Sequence, residues 1–215
     1  MPDFSTVFKQ YEALVAEVDN IFQRVKETHE ACVRCEIHCS DCCHAVFDLT
    51  LIEAVYMSEQ FRKSFGETER EPILTRAETV DRKYYQIKKK LQKMHIDQGK
   101  SPDEVLHALS QERVPCPLLN PEGLCDLYDS RPITCRVYGI PTAISGKPHI
   151  CEHANFQEGV AYPTVNLDKM NDRLFALSKA LLEECGSTQE KMRMSLVPPS
   201  AALMTEYDDA YFGIK

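Results

Sequence analysis

Several features are scarce or missing in this chain of 215 residues, and each excludes a class of protein. No apolar run approaches the roughly 20 residues that span a bilayer, and the first residues lack the basic leader and apolar stretch of a signal peptide. Only eight glycines occur, and none forms a G-x-G-x-x-G cofactor loop. The 25 Lys and Arg residues are scattered among 33 Asp and Glu residues, for a net charge of −8. We therefore expect a cytoplasmic protein with no membrane or nucleic-acid partner.

The chain is rich in cysteine, with ten residues of this type. Because cytosolic thiols are kept reduced, so many cysteines indicate metal binding or catalysis rather than disulfides. Eight of them form two groups: Cys35, Cys39, Cys42 and Cys43, and then Cys116, Cys125, Cys135 and Cys151. Thiolates spaced three and four residues apart can converge on one ion. A four-thiolate site suits either zinc or an iron–sulfur cluster.

The adjacent pair Cys42 and Cys43 limits how the first group can be used. Neighbouring α-carbons lie about 3.8 Å apart, which is shorter than the usual separation across a disulfide. Two thiolates are therefore expected rather than a bridge. We expect their side chains to point in different directions, which suggests two centres or one polynuclear centre.

Hydrophobic periodicity predicts a mainly α fold. Predicted helices run from Phe4 to about Val25, from Thr50 to near Gly66, from about Pro72 to His95, over a short stretch after Ser101, and from Leu167 to Cys185. Residues 113–163 show no sustained helical period. We predict a single helical domain (residues 1–215) that supports an irregular cysteine-rich metal-binding lobe. The cysteine-cluster region spans residues 32–156 with a helical insertion at 50–112, and a C-terminal helix and tail follow at 164–215.

Three segments carry a resemblance to a known family. They are CEIHCSDCC from Cys35, CPLLNPEGLCDLYDSRPITCRVY from Cys116, and the trailing Cys151. Together they resemble the YkgJ-like cysteine-cluster family, which is described as a zinc- or iron-chelating domain. This cluster is also similar to the cysteine module of the larger flagellin lysine N-methylases, which is thought to hold a four-iron centre. The gap of three residues between Cys35 and Cys39, where some members have two, and the long helical insertion depart from the family pattern.

The resemblance implies that all eight grouped cysteines are metal ligands and that the cofactor is an iron–sulfur cluster of the [4Fe-4S] type, with zinc as the alternative. Cys32 and Cys185 lie on apolar helix faces and are expected to pack in the core. Arg131 and Arg136 bracket Cys135. They are either surface residues of a turn or donors of hydrogen bonds to ligand sulfurs. Two roles remain open: an iron–sulfur protein in redox chemistry or group transfer to a protein substrate, or a non-enzymatic zinc-stabilised module that binds a protein partner.

Overall fold

The computed structural model describes residues 2–36 and 38–214, and within them the chain is mainly helical, as predicted. The α-helices are α1 (Ser5–Thr28), α2 (Leu51–Ser64), α3 (Glu67–Ile96), α4 (Pro102–Ser110), α5 (Ile133–Val137), α6 (Leu167–Glu184) and α7 (Pro199–Met204). The strands are β1 (Leu49–Thr50), β2 (Thr142–Ile144), β3 (Lys147–His149), β4 (Val165–Asn166) and β5 (Leu196–Val197). β1 pairs antiparallel with β5, and β2 lies between antiparallel β3 and parallel β4. No helix in these two ranges is long and apolar enough to cross a membrane.

Side-chain caps fix several helix starts. The Thr50 backbone N–H and hydroxyl both donate to Glu53, at 3.1 and 2.9 Å, which completes the capping box at the start of α2. Ser101 and Glu104 form a second box at α4. Both starts were predicted from these residue pairs. The start of α1 is different, because its Thr6 and Val7 N–H groups donate to the distant carboxylate of Glu184.

The predicted start of the third helix is wrong. Helix α3 begins at Glu67 rather than near Pro72, so Pro72 lies inside the helix. Glu69 accepts a hydrogen bond from the Gly66 N–H at 2.8 Å and caps the earlier start. A proline in the second turn removes one intrahelical hydrogen bond, but this cap and the apolar face formed by later residues of α3 hold the helix together.

The cysteine-rich lobe and the tail share one hydrophobic core with the long helices. Ile133, Val137 and Ile140 of the lobe are almost fully buried, as are Tyr207 and Phe212 of the tail. Helix α7 packs on both α2 and α3. The cysteine-rich lobe therefore packs against a set of helices that includes α1 near the start of the chain and α7 near its end.

Candidate metal centre

Five of the eight predicted ligands line one cavity, which we call the thiol cavity. These residues are Cys42, Cys43, Cys116, Cys125 and Cys135. Ser130 and Arg131 also line it, and the other wall residues are apolar: Phe47, Met57, Leu118, Leu127, Pro132 and Pro199. The cavity has a volume of about 30 Å³. All ten cysteines are free thiols and half-buried.

Cys42 and Cys43 lie on a short 3-10 turn, Asp41–His44. The expectation that their side chains point in different directions is wrong, because both line the thiol cavity. Interaction with the neighbouring Cys43 thiol is the main cause that lowers the pKa of Cys42, and the same interaction raises the pKa of Cys43.

Backbone hydrogen bonds join the first cysteine group to the second. The Cys116 N–H donates to the Cys43 carbonyl at 2.6 Å, and the Val114 N–H donates to the His44 carbonyl at 2.9 Å. These bonds fix Cys116 beside the 3-10 turn although more than seventy residues separate the two segments. Burial raises the pKa of the Cys116 thiol to about 12, so this thiol gives up its proton only to a strong competitor such as a metal ion.

A tight hairpin carries Cys125 back towards Cys116. Leu119 and Cys125 form an isolated antiparallel bridge, and the Asn120 side chain accepts the Leu124 N–H at 2.8 Å. From α3, Arg76 holds this hairpin in place. Its guanidinium donates to the Pro117 carbonyl and to the Asp126 carboxylate, each at 2.9 Å. The helical insertion therefore supports the site directly.

Helix α5 presents the remaining thiol, Cys135, to the cavity. Its first N–H, on Ile133, donates at 3.0 Å to the buried carboxylate of Glu53. Glu53 also belongs to the capping box of α2, so a single side chain joins two helix N-termini. Burial raises the pKa of the Cys135 thiol well above its usual value. The sequence revealed the capping role of Glu53 but gave no signal of its bond to α5.

Arg136 is used differently from the expectation that it donates to sulfur. Its guanidinium binds both carboxylate oxygens of Asp19 on α1, at 2.9 and 2.7 Å, and donates to the backbone carbonyls of Arg131 and Asp129. These acceptors engage all three nitrogens of the guanidinium. Arg136 therefore positions the loop before α5 against α1. The sequence could not show this because Asp19 lies far away along the chain.

Arg131, unlike Arg136, remains a candidate donor of hydrogen bonds to sulfur. It lines the thiol cavity, and its guanidinium lies 3.5 Å from the ring centroid of Tyr128. Its Nε is buried and has no hydrogen-bond partner in the part of the chain that the structure describes. A buried N–H without an acceptor is costly, and a thiolate sulfur in the cavity would satisfy it. Burial raises the pKa of Cys125, and the positive charge of Arg131 partly opposes this rise.

The other three predicted ligands, Cys35, Cys39 and Cys151, lie outside the thiol cavity. The Cys151 thiol is 3.7 Å from the carboxylate of Asp41, the first residue of the 3-10 turn. Burial is the main reason why the pKa of Cys35 rises to about 11, and charges at Cys39 and Cys151 are the next causes. Cys39 precedes the turn by two residues and Cys151 contacts its first residue. We call Cys35, Cys39 and Cys151 the outer thiols.

The donor set fits a metal centre although the ligands are not arranged around an ion. Within residues 2–36 and 38–214, no group of three His, Cys, Asp or Glu side chains already has the arrangement that a metal ion needs. The thiol cavity nevertheless brings together five soft sulfur donors and a positively charged arginine in its wall. Zinc and iron–sulfur clusters both take thiolate ligands. Cys32 and Cys185 do not line the cavity and pack against the core.

Comparison with known proteins gives one match. The model of the family CxxCxxCC, described as "Putative zinc- or iron-chelating domain", matches residues 31–152, more than half of the chain. The matched range contains all eight predicted ligands and excludes Cys185. No curated protein and no solved structure matches the chain.

Proposed function

The chain belongs to the CxxCxxCC family of zinc- or iron-chelating domains, and from this premise we propose that it holds an iron–sulfur centre in the thiol cavity. The observation that carries the proposal is the convergence of five thiols on one apolar cavity that Arg131 also lines; the buried Nε of this arginine has no hydrogen-bond partner among the described residues. A single tetrahedral zinc ion uses four ligands. A fifth thiol in the same cavity favours a centre with more than one metal atom.

The charge of the site supports this proposal. A cluster ligated by four thiolates carries net negative charge, and an apolar wall does not compensate it. Arg131 supplies a positive charge at the cavity wall, and an N–H donor towards sulfur is one of the means by which proteins set a cluster's reduction potential. When bound, a [4Fe-4S] cluster would supply one-electron redox chemistry. We expect the cytoplasm to be its location, since reducing conditions keep these thiols free.

The surroundings of the thiol cavity favour a protein as the substrate or partner of the centre. Tyr128 is 46% exposed and stacks on Arg131, so an aromatic ring at the surface lies directly over a residue of the cavity wall. Exposed aromatic residues are enriched at protein interfaces. A protein substrate of redox chemistry or group transfer would approach the centre from the side of Tyr128.

A second candidate function is a zinc-stabilised interaction module without enzymatic activity. The volume of the thiol cavity, about 30 Å³, favours this candidate. A cavity this small is closer in size to a single ion than to a cluster of several metal atoms, and the thiols have to move to surround either one. Structural zinc sites are closed and four-coordinate, which agrees with the apolar wall.

Anaerobic purification followed by an absorption spectrum and by iron, zinc and acid-labile sulfide analysis separates the two candidates. The iron–sulfur proposal predicts a brown protein with broad visible absorption and with iron and sulfide in comparable amounts. A colourless protein that contains zinc and no sulfide would establish the second candidate. A wild-type protein isolated without either metal, which also fails to bind them on reconstitution, would contradict both.

A further inference from the structure

Positive charge is concentrated in one segment of the chain, which runs from Arg82 in α3 to Lys100 just after that helix. The segment contains seven Lys and Arg residues and one acidic residue, Asp97, so its net charge is +6. The whole chain carries −8, and the rest of it therefore carries −14. A basic segment on an acidic protein favours contact with an acidic partner.

The protein's own carboxylates pair with four of these seven basic residues. The pairs are Arg82 with Glu78 at 3.7 Å, Lys88 with Asp48 at 2.7 Å, Lys90 with Glu112 at 2.7 Å, and Lys100 with Glu104 at 2.5 Å. Lys83, Lys89 and Lys93 are exposed and form no ion pair within residues 2–36 and 38–214. Three positive charges of α3 therefore remain available to another molecule.

Two of the three unpaired lysines share one face of α3 with two exposed apolar residues. We call these four residues the α3 stripe: Tyr85, Lys89, Lys93 and Ile96. Spacings of four, four and three residues align them along one side of a helix. The buried residues of this part of α3 are Val80, Tyr84 and Leu91, and the same helical periodicity places them on the other side.

The apolar ends of the α3 stripe are open to solvent. Tyr85 is 62% exposed and Ile96 is 66% exposed. Helix α4 packs against α3, but none of the nine residues of α4 is buried, and its Leu106 is also exposed. A single exposed apolar residue is ordinary on a protein surface. Two of them on one stripe, with two unpaired lysines between them, form a surface that complements both apolar and acidic groups.

The composition of the α3 stripe favours a protein over a nucleic acid or a membrane. Proteins that bind DNA commonly contact about 6–10 phosphates, whereas only three lysines of this segment are unpaired, and Ile96 has no use at a phosphate backbone. A helix that lies on a membrane buries a broad apolar face in the lipid. The broad apolar face of α3 is instead buried in the protein.

We infer that the α3 stripe is a docking surface for an acidic amphipathic helix of a partner protein. Tyr85 and Ile96 are eleven residues apart, which corresponds to about 16 Å or three turns along a helix. A partner helix of similar length would place apolar side chains on these two residues and carboxylates on Lys89 and Lys93. No cysteine takes part, so the inference does not depend on the proposed metal centre.

Fluorescence anisotropy with a labelled synthetic helix tests the inference. The probe carries the pattern Leu-x3-Glu-x3-Glu-x2-Leu on a background of alanine and glutamine, which matches the spacing of the stripe. Wild type should bind it, and less tightly as the salt concentration rises. Lys89→Glu/Lys93→Glu and Tyr85→Ser/Ile96→Ser should each weaken binding about tenfold.

Lys9→Glu/Lys26→Glu is the matched control, because it makes the same change in net charge at two exposed lysines of α1. It should bind the probe within about twofold of wild type, since these lysines lie on a different helix from the stripe. Circular dichroism checks that each variant keeps its helices. The metal content of all these variants should equal that of wild type, so failure of the docking inference leaves the proposed function intact.

Four results would overturn the inference. They are no binding of the probe to wild type, equal binding of a probe with the same composition in scrambled order, equal weakening in the α1 control and the stripe variants, and tighter binding of another polyanion. A short single-stranded RNA and vesicles of phosphatidylserine and phosphatidylcholine are the polyanions to compare. Tighter binding of either one would assign the surface to nucleic acid or to membrane instead of protein.

Discussion

The carboxylate of Glu53, at the start of α2, accepts the backbone N–H of Ile133, at the start of α5, at a distance of 3.0 Å. Its other oxygen accepts the N–H and hydroxyl of Thr50. The side chain is only 4% exposed. A single buried carboxylate thus connects the helical insertion to the helix that presents Cys135, and the metal lobe depends on a helix outside it.

Replacing Glu53 with Gln should destabilise the protein by about 1–3 kcal/mol, because the amide NH₂ group would face one of two buried N–H donors and leave it without an acceptor. The free energy of unfolding from urea denaturation measures this effect. Glu59→Gln on the same helix is the control, since Glu59 forms an ion pair with the exposed Lys63 and its replacement should change stability by less than about 0.5 kcal/mol. Equal stability of the two variants would mean that the Ile133 bond contributes nothing.

Arg131→Met should weaken metal retention by about 10–100-fold, which is the usual effect of removing a group that hydrogen-bonds to a metal ligand. Methionine keeps most of the apolar contact but removes the unpartnered Nε and the positive charge at the cavity wall. Competition with a chelator measures the change. Arg82→Met provides the control, because the Arg82 side chain is 80% exposed. Retention equal to that of the control would place Arg131 outside the site.

Local signals in the sequence predicted most of the helices, and long-range contacts account for most of what they missed. The pairs Thr50 and Glu53 or Ser101 and Glu104 mark helix starts because both partners lie within one turn. Pro72 was misleading because proline favours the first turn, whereas the actual cap is the less recognisable Gly66.

At the candidate site, too, local signals predicted the residues and long-range contacts account for what was missed. Spacing and family resemblance identified the eight cysteines, and the cavity brings five of them together. The division into cavity and outer thiols depends on tertiary contacts that no spacing encodes. Asp19 binds Arg136, and Gly139 makes room for Cys35. Each of these partners lies about a hundred residues or more from the group that it serves.

Removal of the metal should loosen the hairpin between Cys116 and Cys125 and the turn that follows it. Burial of Ile133, Val137 and Ile140 holds the later part of the lobe in the core without metal, whereas the hairpin relies on a few hydrogen bonds and on its ligands. The binding free energy at such a site becomes folding free energy. Chymotrypsin should therefore cut first near Leu124 and Tyr128 after chelation under reducing conditions, as mapped by mass spectrometry, while far-ultraviolet helicity falls only slightly. Resistance across residues 119–130 in the metal-free protein would show that this segment folds on its own.

Metal content per chain, compared between Cys135→Ala and Cys185→Ala after anaerobic purification, tests the central claim most directly. Both changes remove one half-buried thiol, but Cys135 lines the thiol cavity, whereas Cys185 ends α6 with its thiol donating to the Leu182 carbonyl at 3.4 Å. Cys32→Ala should behave like the Cys185 variant. The account predicts metal content equal to wild type in Cys185→Ala and a clear loss in Cys135→Ala. Wild-type metal content in Cys135→Ala, or equal losses in both variants, would contradict it.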